Sequence, residues 1–307
     1  MTADYILRTY GDVSAKEDVV KNSIELLTAQ ETQIYNKLGK TVAINTIHAY
    51  LVDTLLTAGS LAVGEADDYT ATANTTPTRL TNIVELVAKN FKVSRTQQDI
   101  QHYQGENELA RQTTKAMKDW ANAAEFDLIR STLVSGASGT TPKMSGIIEA
   151  ISLAANHSSQ TSGTVWAASI LDSIMMNSYI NTNGDVPTEL YVGAIMRKNT
   201  DYFTQKTNSV INNVAPTEIV KTVSTYTTAF ATVRVNTHRY VQQAADTTGR
   251  ILLLNPDKLK VAELRTPYFD TELSRSGDYD NRAVIGKFTL EVRNQQVNQF
   301  QDGFLLA

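Results

Sequence analysis

Four histidines, His48, His102, His157 and His238, are the side chains best suited to proton transfer or metal ligation near neutral pH. They are dispersed along the chain, and none stands in an HxxxH or HExxH setting that would put two ring nitrogens on one helical face. Surface or strand-capping roles are the expectation for them. GASGTTPKMSG (136–146) has the glycines and lysine of a phosphate loop. It lacks the Gly-Lys-Ser/Thr ending that sets ammonium and hydroxyl on phosphate and magnesium, so it reads as a flexible joint. DYDNR (278–282) opens like a calcium loop, but no glycine stands at the sixth position and no glutamate at the twelfth. The pairs Asp67/Asp68 and Asp278/Asp280 lie in loop compositions that offer acid–base work no dry pocket. There is no GxSxG elbow and no GxGxxG after a strand. The chain has no cysteine, which excludes disulfides, thiolate metal sites and cysteine nucleophiles together. No catalytic residue, metal or cofactor is expected, and the chain is not read as an enzyme.

With chemistry set aside, the elements that would have positioned it become the subject. The 307 residues are 42% hydrophobic, enough for a sizeable core. A formal net charge of −4 is too mild for a nucleic-acid binder or for disorder. The first residues show no basic start followed by an apolar run, and no 18-residue apolar stretch occurs anywhere. Ser14 with Glu17 forms a capping box before Val20, Ile24 and Leu27, which predicts a short amphipathic helix after an extended arm. Two β-branched-rich runs, roughly 41–56 and 80–93, flank a polar tip and predict a long hairpin. Such a hairpin is marginal alone and must rest on something else.

From Glu106 to Ser135 there is neither Pro nor Gly. The composition predicts one helix about 45 Å long at the helical rise, with Leu109, Ala116, Trp120, Ala123 and Val134 near one face and Gly136 as its stop. Beyond it come a helix at about 167–180, strand-like runs in TELYVGAI, EIVKTVSTY, ATVRVNTHRYV and RILLLNP, a short helix in RKNTDYFTQ, and a turn in SRSGDYDNR. The closing stretch KFTLEVRN alternates, with Phe288, Leu290 and Val292 on one side and Lys287, Thr289, Glu291 and Arg293 on the other. Phe288, Leu290 and Val292 are expected to seal against the long helix around Trp120. Glu291 and Arg293 are expected to face solvent or a neighbour, and the amides from Asn294 to Gln301 to satisfy irregular backbone where subunits meet. The class is α+β.

KEDVVKNSIELLTAQETQIYNKLGK, VAKNFKVSRTQQDIQHYQGENELARQTTKAMKDWANAAEFDLIRSTLVSG, YINTNGDVPTELYVG and SRSGDYDNRAVIGKFTLEVRN resemble, in order, segments of tailed-phage major capsid proteins with the Hong Kong 97 (HK97) fold, in particular the SU10-type major head proteins. The resemblance implies an α+β, HK97-like capsid fold. It would comprise an N-terminal arm (1–35), an extended β-hairpin loop and its base (36–93), a peripheral domain (94–146 plus 251–307) with a spine helix at about 106–135, and an axial domain (147–250). It implies a major capsid protein that self-assembles into the icosahedral head around the double-stranded DNA of a tailed bacteriophage. The implied partners are copies of itself in pentamers and hexamers, a separate scaffolding protein, a portal and a decoration protein. Packaged DNA would be held without sequence-specific binding, and no membrane is involved. The location would be the virion, after synthesis in the bacterial host cytoplasm.

The arm begins near Met1, which favours scaffolding by a separate protein over a removed leading segment. No position matches the family's Lys–Asn cross-link, so covalent cross-linking is expected to be absent. Assembly contacts are expected at the acidic tip, Glu65, Asp67 and Asp68, with Arg8, Lys16, Arg275 and Arg282 as candidate basic partners. The runner-up is a tail or accessory attachment protein. Such proteins carry repeats or coiled-coil stretches, and neither is present here.

Overall fold

The computed structural model describes residues 32–306, apart from 56–58, 61, 66–73, 100–107, 138, 155, 183, 202, 204–223, 244, 272 and 275. In chain order its elements are α1 (Gln33–Lys37), β1 (Gly39–Val42), β2 (Ile47–Val52), β3 (Thr78–Ile83), β4 (Glu85–Ser94), α2 (Arg95–Asp99) and α3 (Glu108–Arg130). Then follow α4 (Ile147–Leu153), β5 (His157–Thr164), α5 (Ala168–Asn181), β6 (Glu189–Val192), α6 (Ala194–Asp201), β7 (Thr225–Thr227) and β8 (Thr232–Thr237). The chain closes through β9 (Gly249–Leu254), β10 (Leu259–Asp270), β11 (Tyr279–Val292) and β12 (Gln299–Phe304).

Three sheets result. The first has the order β1-β10-β11-β4, the second β5-β12-β9-β6-β8-β7, and β2 pairs with β3 alone. Gly39–Val42 runs parallel to Lys260–Glu263, and β11 lies antiparallel between β10 and β4.

Strand alternation divides the apolar residues between two main cores. Leu252, Leu254, Tyr191 and Phe300 turn from the six-stranded sheet toward α3, α4 and the four-stranded sheet. Ile251, Leu253, Leu190, Val192 and Phe304 turn the other way, beneath Leu171, Ile174 and Met175 of α5 and Met196 of α6. A strand buried on both faces must read as an unbroken apolar run, and Ile-Leu-Leu-Leu in β9 does so. On α3 the buried row is Ala116, Trp120, Ala124 and Leu128, a strict i+4 series. Trp120 stands edge-on to Phe288 at 6.2 Å, and its indole N–H donates to the Val87 carbonyl at 2.9 Å. Gly286 lies beneath the indole, where a Cβ would come within 2.5 Å of the ring.

Several expectations are corrected. The long helix ends at Arg130, not Ser135, because the Ser131 carbonyl is taken by the Gly146 amide (2.8 Å) and Val134 bridges Lys143 in an extended conformation. Glu106 lies outside the described residues. Ala123 is exposed, since the sheet covers a face narrow enough that Ala124 takes the buried position; Leu109 is half-buried. The joint at 135–146 is packed in its second half, with Met144 fully buried.

Each hairpin run is divided. Residues 39–42 and 85–94 belong to the four-stranded sheet, and only 47–52 with 78–83 form the hairpin. Residues 251–307 do not all complete the sheet of the long helix, because β9 and β12 lie in the six-stranded one. The closing strand starts at Tyr279, so most of DYDNR is strand. Asn298 and Gln301 are buried within the chain: Asn298 Oδ1 accepts from the Asn255 amide (2.9 Å), and Gln301 Oε1 accepts from Gln160 Nε2 (3.0 Å). The helix expected after Ser14 lies outside the described residues.

Candidate assembly surface

The β2–β3 hairpin alternates against the rule for a monomer. Ile47 and Leu51 point outward, Leu51 with 70% exposure, and the neighbouring Ile44 and Leu55 reach 91% and 94%. The inward face carries His48, Tyr50 and Asn82 with Val52 and Leu80. Asn82 is the firmest anchor. Its amide donates to the carbonyls of Leu290 (2.8 Å) and Ser145 (3.1 Å), and its oxygen accepts from the Ser145 N–H (2.9 Å). The Tyr50 hydroxyl accepts from the Val292 N–H (3.2 Å), and His48 Nε2 lies 3.3 Å from Glu291 Oε2. Burial, with the Glu291 charge, raises the Tyr50 phenol above its ordinary value and keeps it neutral.

Upstream, the strap from α1 to β2 buries Ile34, Tyr35, Leu38 and Ala43 and is also held by buried carboxylates. Glu125 of α3, with no exposed surface, accepts from the backbone N–H groups of Ile34 (2.7 Å) and Tyr35 (2.8 Å) and pairs with His238 Nε2 at 2.9 Å. His238 Nδ1 accepts from the Tyr240 N–H (3.3 Å), which assigns the Nε2 proton to the Glu125 side. Glu189 of β6 takes Lys37 Nζ and Asn236 Nδ2 (2.6 Å). Glu263 of β10 takes Lys40 Nζ (2.7 Å) and the Tyr35 hydroxyl (3.0 Å). Burial and then the Glu263 charge raise the Tyr35 phenol. Glu291 of β11 meets His48 and Arg293 (2.7 Å). Four elements thus aim one strap, and the strap aims the hairpin. Arg130, the last residue of α3, performs the same service for the loop before β9, donating to the Tyr240 (2.7 Å) and Val241 (3.1 Å) carbonyls and pairing with Asp246.

Of the expected contact residues, Glu65 is exposed, while Arg8, Lys16, Asp67, Asp68 and Arg275 lie outside the described residues. Arg282 sits in β11 with its guanidinium over the Phe269 ring, 5.8 Å from the centroid. Glu291 is buried, not facing solvent, because His48 and Arg293 both need it; His238 is fully buried for the same kind of reason. Ala116, Trp120, Phe288, Leu290 and Val292 share one core. Five buried glutamates among the described residues, Glu85, Glu125, Glu189, Glu263 and Glu291, escaped sequence reasoning. Their signal is a Glu in apolar company, as in IVELV, AAEFD, TELYV, VAELR and TLEVR, where an acid interrupts a buried face.

A recess of about 430 Å³ beside β5 is lined by carboxamides and hydroxyls, including Asn156, Asn177, Gln299 and Ser158. His157 also lines it, with its Nε2 3.2 Å from Asp302 Oδ1. Among the described residues no three His, Asp or Glu side chains come together as a metal site, and no helix is long and apolar enough to cross a membrane.

Solved structures share this architecture. A chain from Mycobacterium phage Bobi is 12% identical, with 95% of this chain and 96% of that one covered and a TM-score of 0.62. The capsid of Myoviridae phage XM1 matches at 10% identity over 92% and 96%, TM-score 0.63. The holo-SrpI encapsulin complex from Synechococcus elongatus PCC 7942 matches at 13% identity over 98% and 97%, TM-score 0.63. At such identities the likeness defines the fold, which is that of HK97-like shell proteins. The model of the SU10 major capsid protein family matches residues 6–298, and the chain belongs to that family: it is a major capsid protein. No curated protein matches the chain.

Proposed function

We propose that this major capsid protein assembles through quasi-equivalent contacts into the icosahedral head of a tailed bacteriophage, enclosing double-stranded DNA, with no catalytic role. The observation that carries the reading is the hairpin whose Ile47 and Leu51 face outward while His48, Tyr50 and Asn82 anchor it. Burying an exposed Leu or Ile is worth about 1.5–3 kcal/mol, so a second subunit is the natural cover. Residues 1–35 act as an arm, the β2–β3 hairpin as the extended loop, the four-stranded sheet with α3 as the peripheral domain, and the six-stranded sheet as the axial domain meeting its copies in pentamers and hexamers. Scaffolding comes from a separate protein, and a portal and a decoration protein are further partners. Negative-stain microscopy of the protein expressed with its neighbouring genes tests this. Closed shells are expected; tubes, spikes or small discrete oligomers would overturn it.

A further inference from the structure

On the face of the six-stranded sheet that turns toward α5, the cross-strand rows change character between β9 and β12. Leu190 of β6 and Leu253 of β9 are followed by Gln299 of β12. Val192 and Ile251 are followed by Gln301 and then by Ser158 of β5. The apolar half of each row packs beneath α5. The carboxamide half floors the recess of about 430 Å³, whose opposite wall is Ile170, Ile174, Asn177 and Asn181, one face of α5 at helical spacing. Gln299 and Gln301 are only 9% and 6% exposed, and a buried carboxamide short of hydrogen bonds costs free energy that a leucine in the same row would not. Each is half satisfied within the chain. Gln299 Nε2 donates to the Gln296 carbonyl (3.1 Å), and Gln301 Oε1 accepts from Gln160 Nε2 (3.0 Å). Gln299 Oε1 and Gln301 Nε2 have no partner among the described residues, and neither do the side chains of Asn177 and Asn181.

Such a site suits an occupant that both donates and accepts. Among the described residues its lining includes no Asp, Glu, Lys or Arg. His157, the one titratable residue there, is engaged by the Phe300 ring (5.0 Å between centroids) and by Asp302 (3.2 Å). An ion would enter without a counter-charge, so the occupant is neutral. Hydroxyl groups donate and accept as carboxamides do, and the C–H face of a sugar ring suits Ile170 and Ile174. The volume lies toward the small end of ligand pockets. We propose that the recess between α5 and the β5–β12 edge binds a neutral saccharide of one or two rings. Gln299 Oε1 and Gln301 Nε2 on the floor, with Asn177 and Asn181 on the wall, meet its hydroxyls. This is a binding activity separate from shell formation.

Saturation-transfer NMR on the purified full chain tests it. The probes are glucose, galactose, mannose, N-acetylglucosamine, maltose and lactose, with glucuronate and a capped Gly-Asn dipeptide for comparison of class. Transfer to at least one neutral sugar is expected, and little to glucuronate or the dipeptide. Gln301→Leu should weaken that binding about tenfold or more. The same variant should keep its melting temperature or raise it, because leucine continues the Val192–Ile251 row. Asn177→Arg, at an exposed position of α5, should block the recess and leave the core intact. No transfer to any of the neutral sugars overturns the proposal, and the recess would then hold water alone. Transfer undiminished in Asn177→Arg, or stronger transfer to glucuronate or the dipeptide, overturns it as well. If Gln301→Leu fails to fold, Asn177→Arg decides.

Discussion

The strap of residues 33–50 and the core beneath α5 are held in place by different means: the strap is largely exposed and pinned at a few points, the core buried throughout. Under α5 the contacts are almost wholly apolar: Leu171, Ile174, Met175, Leu190, Leu253 and Phe304 pack together, and the Trp166 indole finds the Thr200 hydroxyl at 3.0 Å. Along the strap, Ile34, Tyr35 and Leu38 enter the core beside Trp120, Ala43 packs with Val84 and Ala262, and Glu125, Glu189, Glu263 and Glu291 supply the polar pins. Apolar burial is non-directional and tolerates small slips. A carboxylate with two or three fixed donors does not, because a slip leaves a buried charge unpaired. The difference teaches where this molecule spends directionality: on the segment that must point its hairpin at a neighbour.

Removing one pin should therefore cost most. Glu125→Ala leaves the Ile34 and Tyr35 N–H groups and the His238 ring without their acceptor. A loss of about 3–5 kcal/mol is expected in denaturant unfolding of the unassembled chain, with hydrogen exchange rising first at residues 33–50. Exchange that rises uniformly would erase the distinction between strap and core. Leu171→Ala, beneath α5, should cost about 2–5 kcal/mol through the cavity it leaves, and its exchange should rise in α5 and β9 while the strap stays protected. Enhanced exchange at residues 33–50 in that variant would show the two regions to be one cooperative unit.

How much of this contrast was legible in the sequence depends on the kind of force. Apolar period and composition revealed α5, β9, the long helix and the alternation of Phe288, Leu290 and Val292, and residue patterns along the chain pointed to the HK97-like fold and the SU10 family. The helix end at Arg130 was hidden because it is set by Gly146, remote in sequence. The polar pins were hidden for the same reason: Glu125 and Ile34 are 91 residues apart, and Asn82 and Leu290 are 208 apart. An acid flanked by apolar residues announces that it is buried, but not which donors it will meet. The division of 251–307 between two sheets was equally invisible, since a strand's own residues do not say which strand it will pair with.

The smallest expected effect is also the one that separates the regions by pH. Asp127, near the end of α3, has its carboxyl pushed from 3.8 up to about 6, first by burial and then by the Glu85 charge, with Lys143 pulling the other way. The unfolded chain releases this proton near 3.8, whereas the folded chain holds it to about 6. Between those values the folded state carries more protons, so this group's contribution falls as pH rises through the window and is constant above it. Asp127→Asn removes the titration. Relative to wild type, the variant's unfolding midpoint should climb between pH 4 and 6 and then level off, whereas Leu171→Ala should run parallel to wild type throughout. Parallel curves for Asp127→Asn would mean that Lys143 and solvent already neutralise the penalty, and the contact between α3 and β4 would then be as insensitive to pH as the apolar core under α5.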